Sequence, residues 1–535
     1  MIRLTNIVES LTYSDDSLRK KAAAELKVSA DTIETCRIAK RSVDARKGTV
    51  KFLFSLDVTV QGDENAIVCK SKSAKAKTFT QEKYVSPVAD TNVAESPVVV
   101  GSGPAGLFAA LVLTEAGLKP IVIERGKKVD ERKKDVRHFV ETGELDTESN
   151  IQFGEGGAGT FSDGKLNTGI QKNPRCRFVL ETLARFGDAE DILWQAKPHA
   201  GTDRLYTMVS GIRKYLEDAG CVFLFETRLD DILVQNGMIS SITVTHKGKK
   251  DTLPCRNLLL CIGHSARDTA KMLFDKGLVM QAKPFAVGVR IEHSREWIDT
   301  MSYGTYAGHP RLGTADYKLA VHPKDTRGVY TFCMCPGGVV VPVASETDMV
   351  VTNGMSEFAR MADNSNSAVL VGVSPEDFES SHPLSGFEFQ RKLEKAAFSS
   401  GKGQYCAPAQ MLGDFLHDRP TVSFGSVRPS YERGVTPGDL RTCLPSFITD
   451  SLKKGIPMMD RGLHGFLFDE AVLTGVESRT SSPVRMVRDD SGQSNIIGIY
   501  PCGEGAGYAG GIVSSAADGM KMAECVIQNY YQKKP

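Results

Sequence analysis

The first residues whose spacing suits chemistry are Gly101-Ser-Gly103-Pro-Ala-Gly106, which directly follow Val98, Val99 and Val100. In this G-x-G-x-x-G spacing Gly101 permits a tight turn out of a strand, and Gly103 lets the backbone approach a pyrophosphate. Gly106 lets the following helix pack on that strand. Residues 107–115 read as that helix and 120–123 as the next strand, ending at Glu124, 18 residues after Gly106. Glu124 is placed to accept hydrogen bonds from ribose hydroxyls, and its charge disfavours a phosphate on that ribose. The spacing therefore fits FAD or NAD and not NADP.

Three further segments favour FAD. Residues 153–165 (FGEGGAGTFSDGK) carry five glycines in eleven positions, a backbone that can lie flat against a planar ligand. The plain alternative is a mobile surface loop. An apolar strand, 258–262, ends at Gly263 and His264, as a chain returning past a diphosphate requires. Near the C-terminus a strand ends at Gly503-Glu504, and Gly510-Gly511 precede a helix beginning at Ile512. A helix N-terminus aimed at the pyrimidine edge of a flavin would stabilise negative charge on the reduced ring. A domain that binds only NAD has no need of this distant strand and helix, whereas a long flavin nucleotide does.

The residues expected to touch the cofactor are Gly101, Gly103, Pro104, Ala105, Gly106, Glu124, Arg125, Gly157, Ala158, Gly159, Thr160, Lys165, Leu166, Leu229, Gly263, His264, Gly503, Glu504, Gly510, Gly511 and Ile512. Candidates for chemistry are His264, Arg267 and Lys165. His264 suits acid–base work or a structural hydrogen bond. Arg267 suits a flavin phosphate or a substrate carboxylate, or a salt bridge to Asp268 or Glu504. Lys165 suits the N5–C4 edge of a flavin, or the capping of a loop. Cys333 and Cys335, two apart on an expected strand, face one side and read as a redox pair or as small buried hydrophobes. No HExxH and no pair of CxxC motifs occurs, so a metal site is not expected.

The elements that must position these residues suggest an α/β chain. Residues 96–268 read as the first part of a Rossmann-like FAD-binding domain, 269–469 as a β-rich α+β insertion holding substrate, and 470–535 as the C-terminal part of the FAD-binding domain. Residues 1–92 read as a small α+β N-terminal domain, with a helix at 18–26, a strand at 50–60 and a linker at 84–97. That unit carries 16 Lys/Arg against 12 Asp/Glu, a charge of +4 inside a chain of net charge +1. Its basic clusters, Arg37 to Lys51 and Lys70 to Lys77, suit a solvated surface better than nucleic acid, because no aromatic residues are interleaved with them. With 41% hydrophobic and 24% charged residues the composition is that of a globular chain. No signal-peptide core opens it, and the uncharged stretch 96–114 is broken by glycine and proline, so no membrane span is expected. Twelve scattered cysteines suggest reduced thiols and a cytoplasmic location.

Several stretches together resemble flavoproteins with a glutathione-reductase-type FAD domain. They are similar, more closely, to the bacterial FAD-dependent (NAD(FAD)-utilizing) dehydrogenase family with an extra N-terminal domain. They include GSGPAGLFAAL (101–111), IERG (123–126), NIQFGEGGAGTFSDGKLNT (150–168), CIGHSARDT (261–269), KPFAVGVRIEH (283–293), FCMCPGG (332–338), GVESRTSSPVRMVRD (475–489) and YPCGEGAGYAGGI (500–512). The resemblance implies bound FAD and redox activity and names no substrate. Two departures matter. No cysteine lies between Cys69 and Cys176, where disulfide reductases of this type place a CxxxxC pair, and no second strand–GxGxxG–helix follows residue 106. NADH or NADPH, if used, would have to dock transiently. The expected function is an FAD-dependent oxidoreductase acting on a small molecule. An RNA-directed flavoprotein and a flavin-binding sensor without turnover are the alternatives.

Overall fold

The computed structural model describes residues 1–89, 95–170 and 173–531. Part of the expected linker, residues 90–94, lies outside the described residues.

Five three-residue strands, all parallel, form the central sheet in the order Ile499–Pro501, Leu258–Leu260, Val98–Val100, Ile121–Ile123, Val222–Leu224. Nearly every residue in the first four is apolar and buried, as a sheet covered on both faces requires. From Val98–Val100 the chain runs outward through 121 and 222, then crosses to the other side with 258 and 499. This reversal opens a crevice at the carboxyl ends of Val98–Val100 and Leu258–Leu260. The helix Pro104–Glu115 is buried from Ala105 to Leu113 without a polar stripe, because the sheet covers one side and the helix Ile512–Val526 another.

A second sheet of seven strands stands over that crevice. Its long central strands, Phe285–Ser294 and Asn364–Val373, pair antiparallel along ten residues. Period-two alternation sends Val287, Val289 and Ile291 into the apolar core beside the helix Ser446–Met459. It sends Arg290 and Glu292 to the opposite face, where both are fully buried. Val472–Glu477, expected with the C-terminal part of the FAD-binding domain, pairs instead with Phe285–Ser294 and Ala407–Met411. Its apolar sequence matches either sheet, and only long-range pairing decides between them. The structure is thus a Rossmann-like α/β unit joined to a β-rich insertion, preceded by a small α/β unit.

That first unit is a four-stranded antiparallel sheet, Ile33–Asp44, Lys51–Val60, Ile2–Glu9 and Ala76–Thr78, with the helix Asp15–Leu26 capped by Ser14. Alternation along Lys51–Val60 buries Phe52, Phe54, Leu56, Val58 and Val60. Arg41, one of the expected basic cluster, turns toward the rest of the chain. Its amide donates to the Trp194 carbonyl at 2.7 Å and its guanidinium stacks on that indole at 4.7 Å. Tyr84 likewise packs on Phe178 and donates its hydroxyl proton to Glu524. Among the described residues no helix is long and apolar enough to cross a membrane.

Candidate functional site

A cavity of about 440 Å³ fills the crevice between the two sheets, within the range of ligand pockets, ~300–1,000 Å³. Gly101, Gly103, Pro104 and Ala105 line one end. Gly101 sits at φ +100°, and a methyl group there would overlap the Cys261 carbonyl oxygen, so only glycine fits this turn. A Cβ on Gly106 would overlap the Gly101 carbonyl, which places Gly106 behind the wall and not at the cavity. Two helices open toward the cavity, at Gly103 and at Gly511, and neither has a side-chain cap. Apart from the Gly511 amide, which donates to Glu504 at 3.5 Å, and Pro104, which has no N–H, the amides of their first turns and their partial positive charge are available to an anion.

Glu124 departs from expectation. It lines the cavity but is 5% exposed, and its carboxylate is already engaged. One oxygen accepts from the Ser102 amide and hydroxyl, each at 2.8 Å, and the other from the Gly126 and Gly154 amides, each at 3.0 Å. Four donors occupy the lone pairs a carboxylate offers. Glu124 thus ties the fingerprint turn to the glycine loop, and a ribose hydroxyl would have to displace one of these partners. Arg125 stacks on Phe153 at 4.1 Å and pairs with Glu148 and Asp268. Burial opposes its charge, but those two carboxylates outweigh burial and raise its pKa.

The glycine loop is held in place, contrary to the surface-loop alternative. Fully buried Arg132 donates to the carbonyls of Asn150, Ile151 and Glu155 at 2.7–2.8 Å. Burial lowers the Arg132 pKa to about 10. Glu155, also buried, accepts from Arg213 and from the Val129 amide at 2.7 Å. Gly157, Ala158 and Gly159 line the cavity, whereas Thr160 and Leu166 point into the core behind them. Gly503 is packed against Ala105, while Gly263, Glu504, Gly510, Gly511, Ile512 and Leu229 reach the cavity.

The three candidates for chemistry separate. His264 lines the cavity with Nδ1 3.3 Å from the Glu504 carboxylate and with Nε2 buried and unpartnered. Lys165 lines it too, its Nζ 3.0 Å from Asp163 but in no well-aligned hydrogen bond. Burial works against the Lys165 charge, yet Cys335, Asp163 and Cys333 outweigh it and raise the pKa. Arg267 does not reach the cavity, nor does it pair with Asp268 or Glu504. It is buried in a bidentate pair with Glu394 at 2.7 and 3.0 Å, with further bonds to Glu346 and Gln390. Arg479 grips the same Glu394 from the other side at 2.8 and 3.0 Å. Desolvation would raise the Glu394 pKa, but the two guanidinium groups hold it far below the usual carboxylate range.

The second sheet and the segments beside it contribute residues to the cavity, most of them without a role in the sequence. Glu477, Phe332 and Cys333 of that sheet, Arg479, Thr480 and Ser481 just past its strand Val472–Glu477, and Asn353 of a separate two-stranded sheet line the cavity, as do Gln152, Asp163 and Arg228. Burial raises the Glu477 pKa to about 7, against the pull of Arg290 at 3.1 Å. The polar run Glu477-Ser-Arg479 after an apolar strand was the one local signal for this group.

The wall fits a dinucleotide. It has backbone where a Cβ would intrude, two helix N-termini without a side-chain cap, and two buried polar atoms, His264 Nε2 and Lys165 Nζ, in no well-aligned hydrogen bond, Lys165 being ion-paired with Asp163. Residues 95–137 match the FAD binding domain, and residues 284–480 match a model described as FAD-dependent protein, C-terminal domain-like. Residues 1–59 match a domain of unknown function. Among solved structures, a Bacillus halodurans glycerol-3-phosphate dehydrogenase complexed with FAD is 10% identical at a TM-score of 0.36, covering 82% of this chain and 66% of that one. A flavoprotein/dehydrogenase from Cytophaga hutchinsonii is 12% identical at a TM-score of 0.33, covering 82% and 79%. A Clostridium beijerinckii protein named only as uncharacterized is 46% identical over 534 residues, 99% of both chains. With an FAD-binding domain and a C-terminal domain of the FAD-dependent type, the chain belongs to the same family as that Clostridium beijerinckii protein.

Proposed function

We propose that the chain is an FAD-dependent oxidoreductase acting on a small molecule. The observation that carries this reading is a single cavity. It is lined by the glycine turn, by the N-termini of two helices, and by a wall of charged and thiol side chains from the second sheet and the segments beside it. Gly101 to Ala105 would hold the diphosphate, and the helix beginning at Ile512 would face the ring end. FAD, when bound, supplies hydride or electron transfer. The chain supplies the rest. Arg132 and Glu124 keep the glycine loop closed over the cavity, and the sheet that carries Glu477 and Arg479 excludes water. His264, paired with Glu504, is placed to hold or move a proton, and Lys165 sets a fixed positive charge.

NADH or NADPH would act as a transient donor, in a cytoplasmic setting. Anaerobic mixing of the purified flavoprotein with each nucleotide tests the donor. Bleaching of the flavin band by one of them supports it. A band that neither bleaches, and that a panel of other reduced donors also leaves unchanged, would sink the oxidoreductase reading.

A further inference from the structure

Cys333 and Cys335 lie on the strand Val329–Cys335, on the insertion's sheet, far in sequence from the fingerprint. In a flat strand, residues two apart have Cα atoms roughly 6.6 Å apart, near the ~6.8 Å upper span of a disulfide. This strand is not flat. Its pairing with Asn364–Val373 slips between Phe332 and Cys335, and Cys333 takes a left-handed φ of +42°. The break turns Cys333 onto the cavity wall and leaves Cys335 fully buried behind it, where the Cys335 thiol donates to the Cys333 carbonyl at 3.3 Å.

The surroundings favour one negative sulfur. Three cations, Lys165, Arg290 and Arg360, meet only two carboxylates, Asp163 and Glu477, in this cluster. Arg290 Nη2 donates to the Cys333 carbonyl at 2.8 Å and to Cys335 Sγ at 3.6 Å. The Cys333 thiol, then Lys165 and Arg290, favour the thiolate of Cys335 over the opposing burial, so its pKa lies below the ordinary thiol range. The pKa of Cys333 lies well above that range, because its proton is held by Cys335 and it is buried.

We propose that Cys333 and Cys335 form a redox-active dithiol that exchanges an electron pair with the flavin of this cavity. This rests on the flavin reading above. In the oxidising direction the S–H bond of Cys333 breaks and an S–S bond forms to the Cys335 thiolate. The two electrons and the one proton released pass to the oxidised flavin, which balances atoms and charge. The pair thereby stores a second pair of electrons beside the cofactor.

The test uses the full-length flavoprotein. Its oxidised form is titrated anaerobically with dithionite while the flavin band is followed, and samples from both ends are denatured in iodoacetamide for peptide mass analysis. Wild type is expected to take up four electrons per flavin, and Cys333→Ser and Cys335→Ser two each. In the oxidised protein the peptide bearing both cysteines should be unalkylated and two hydrogens lighter, and after reduction it should carry two alkyl groups. The mass readout on wild type needs no variant to fold. A yellow protein that takes up two electrons, with both cysteines alkylated in its oxidised form, overturns the dithiol and leaves the flavin reading standing. A colourless protein that takes up no FAD overturns both.

Discussion

At the residue scale the site depends on a few buried charges that organise backbone. Arg132 serves the carbonyls of Asn150, Ile151 and Glu155, of which only that of Glu155 has a second donor, the Thr160 hydroxyl at 3.4 Å, among the described residues. Arg132→Met is expected to cost at least about 2 kcal/mol, since two buried carbonyls lose their partner at ~1–3 kcal/mol each, and to release the flavin with it. Urea unfolding and flavin retention on a desalting column check this together. Gly101→Ala should fold but retain under a tenth of the wild-type flavin, because the methyl group pushes the turn away from the Cys261 carbonyl. The turn at Gly101 and Gly103 was legible in the sequence because turn chemistry is local and carries its own spacing. The bonding of Glu124 to Gly154 was not, because it depends on a loop folded back by a helix arginine that has no local signature.

At the element scale, the junction between the two sheets is a buried ion cluster. Glu394, on the helix Ser385–Ser400, binds Arg267 from the FAD-binding unit and Arg479 from the strand exit after Val472–Glu477. Glu394→Ala leaves Arg479 buried without a carboxylate and Arg267 with only the more distant Glu346, and an expected loss of about 3–5 kcal/mol follows. The exposed pair of Lys392, on the same helix, with Glu379, which precedes it, is a control that should leave the urea midpoint unchanged. Helix and strand patterning placed the helix expected at 18–26 within Asp15–Leu26 and the strand expected at 50–60 at Lys51–Val60. Periodicity says nothing about which distant strands pair, and so Arg267 was expected at the ligand and Val472–Glu477 in the other sheet.

At the scale of the whole molecule, the fold carries a specific sensitivity to acid. His293 is fully buried in Phe285–Ser294, with Nε2 2.8 Å from the Phe466 carbonyl, and burial lowers its pKa to about 4. The unfolded chain takes a proton on this group near its ordinary value of 6.5, while the folded chain resists it. Stability from this group is therefore complete above about pH 6.5 and falls as pH drops toward 4, by up to about 1.4 kcal/mol per pH unit. Urea midpoints across that window should show the slope, and a flat profile would mean that His293 is solvated. The same whole-molecule view gives the most direct test of the cavity itself. The protein is purified, its visible spectrum recorded, and the cofactor released by denaturation is identified and counted. The predicted result is one FAD per chain, with added FAD at a hundred times its Kd stabilising the apoprotein by about 2.7 kcal/mol. A colourless protein whose unfolding midpoint does not move with FAD would contradict a flavin site between the two sheets.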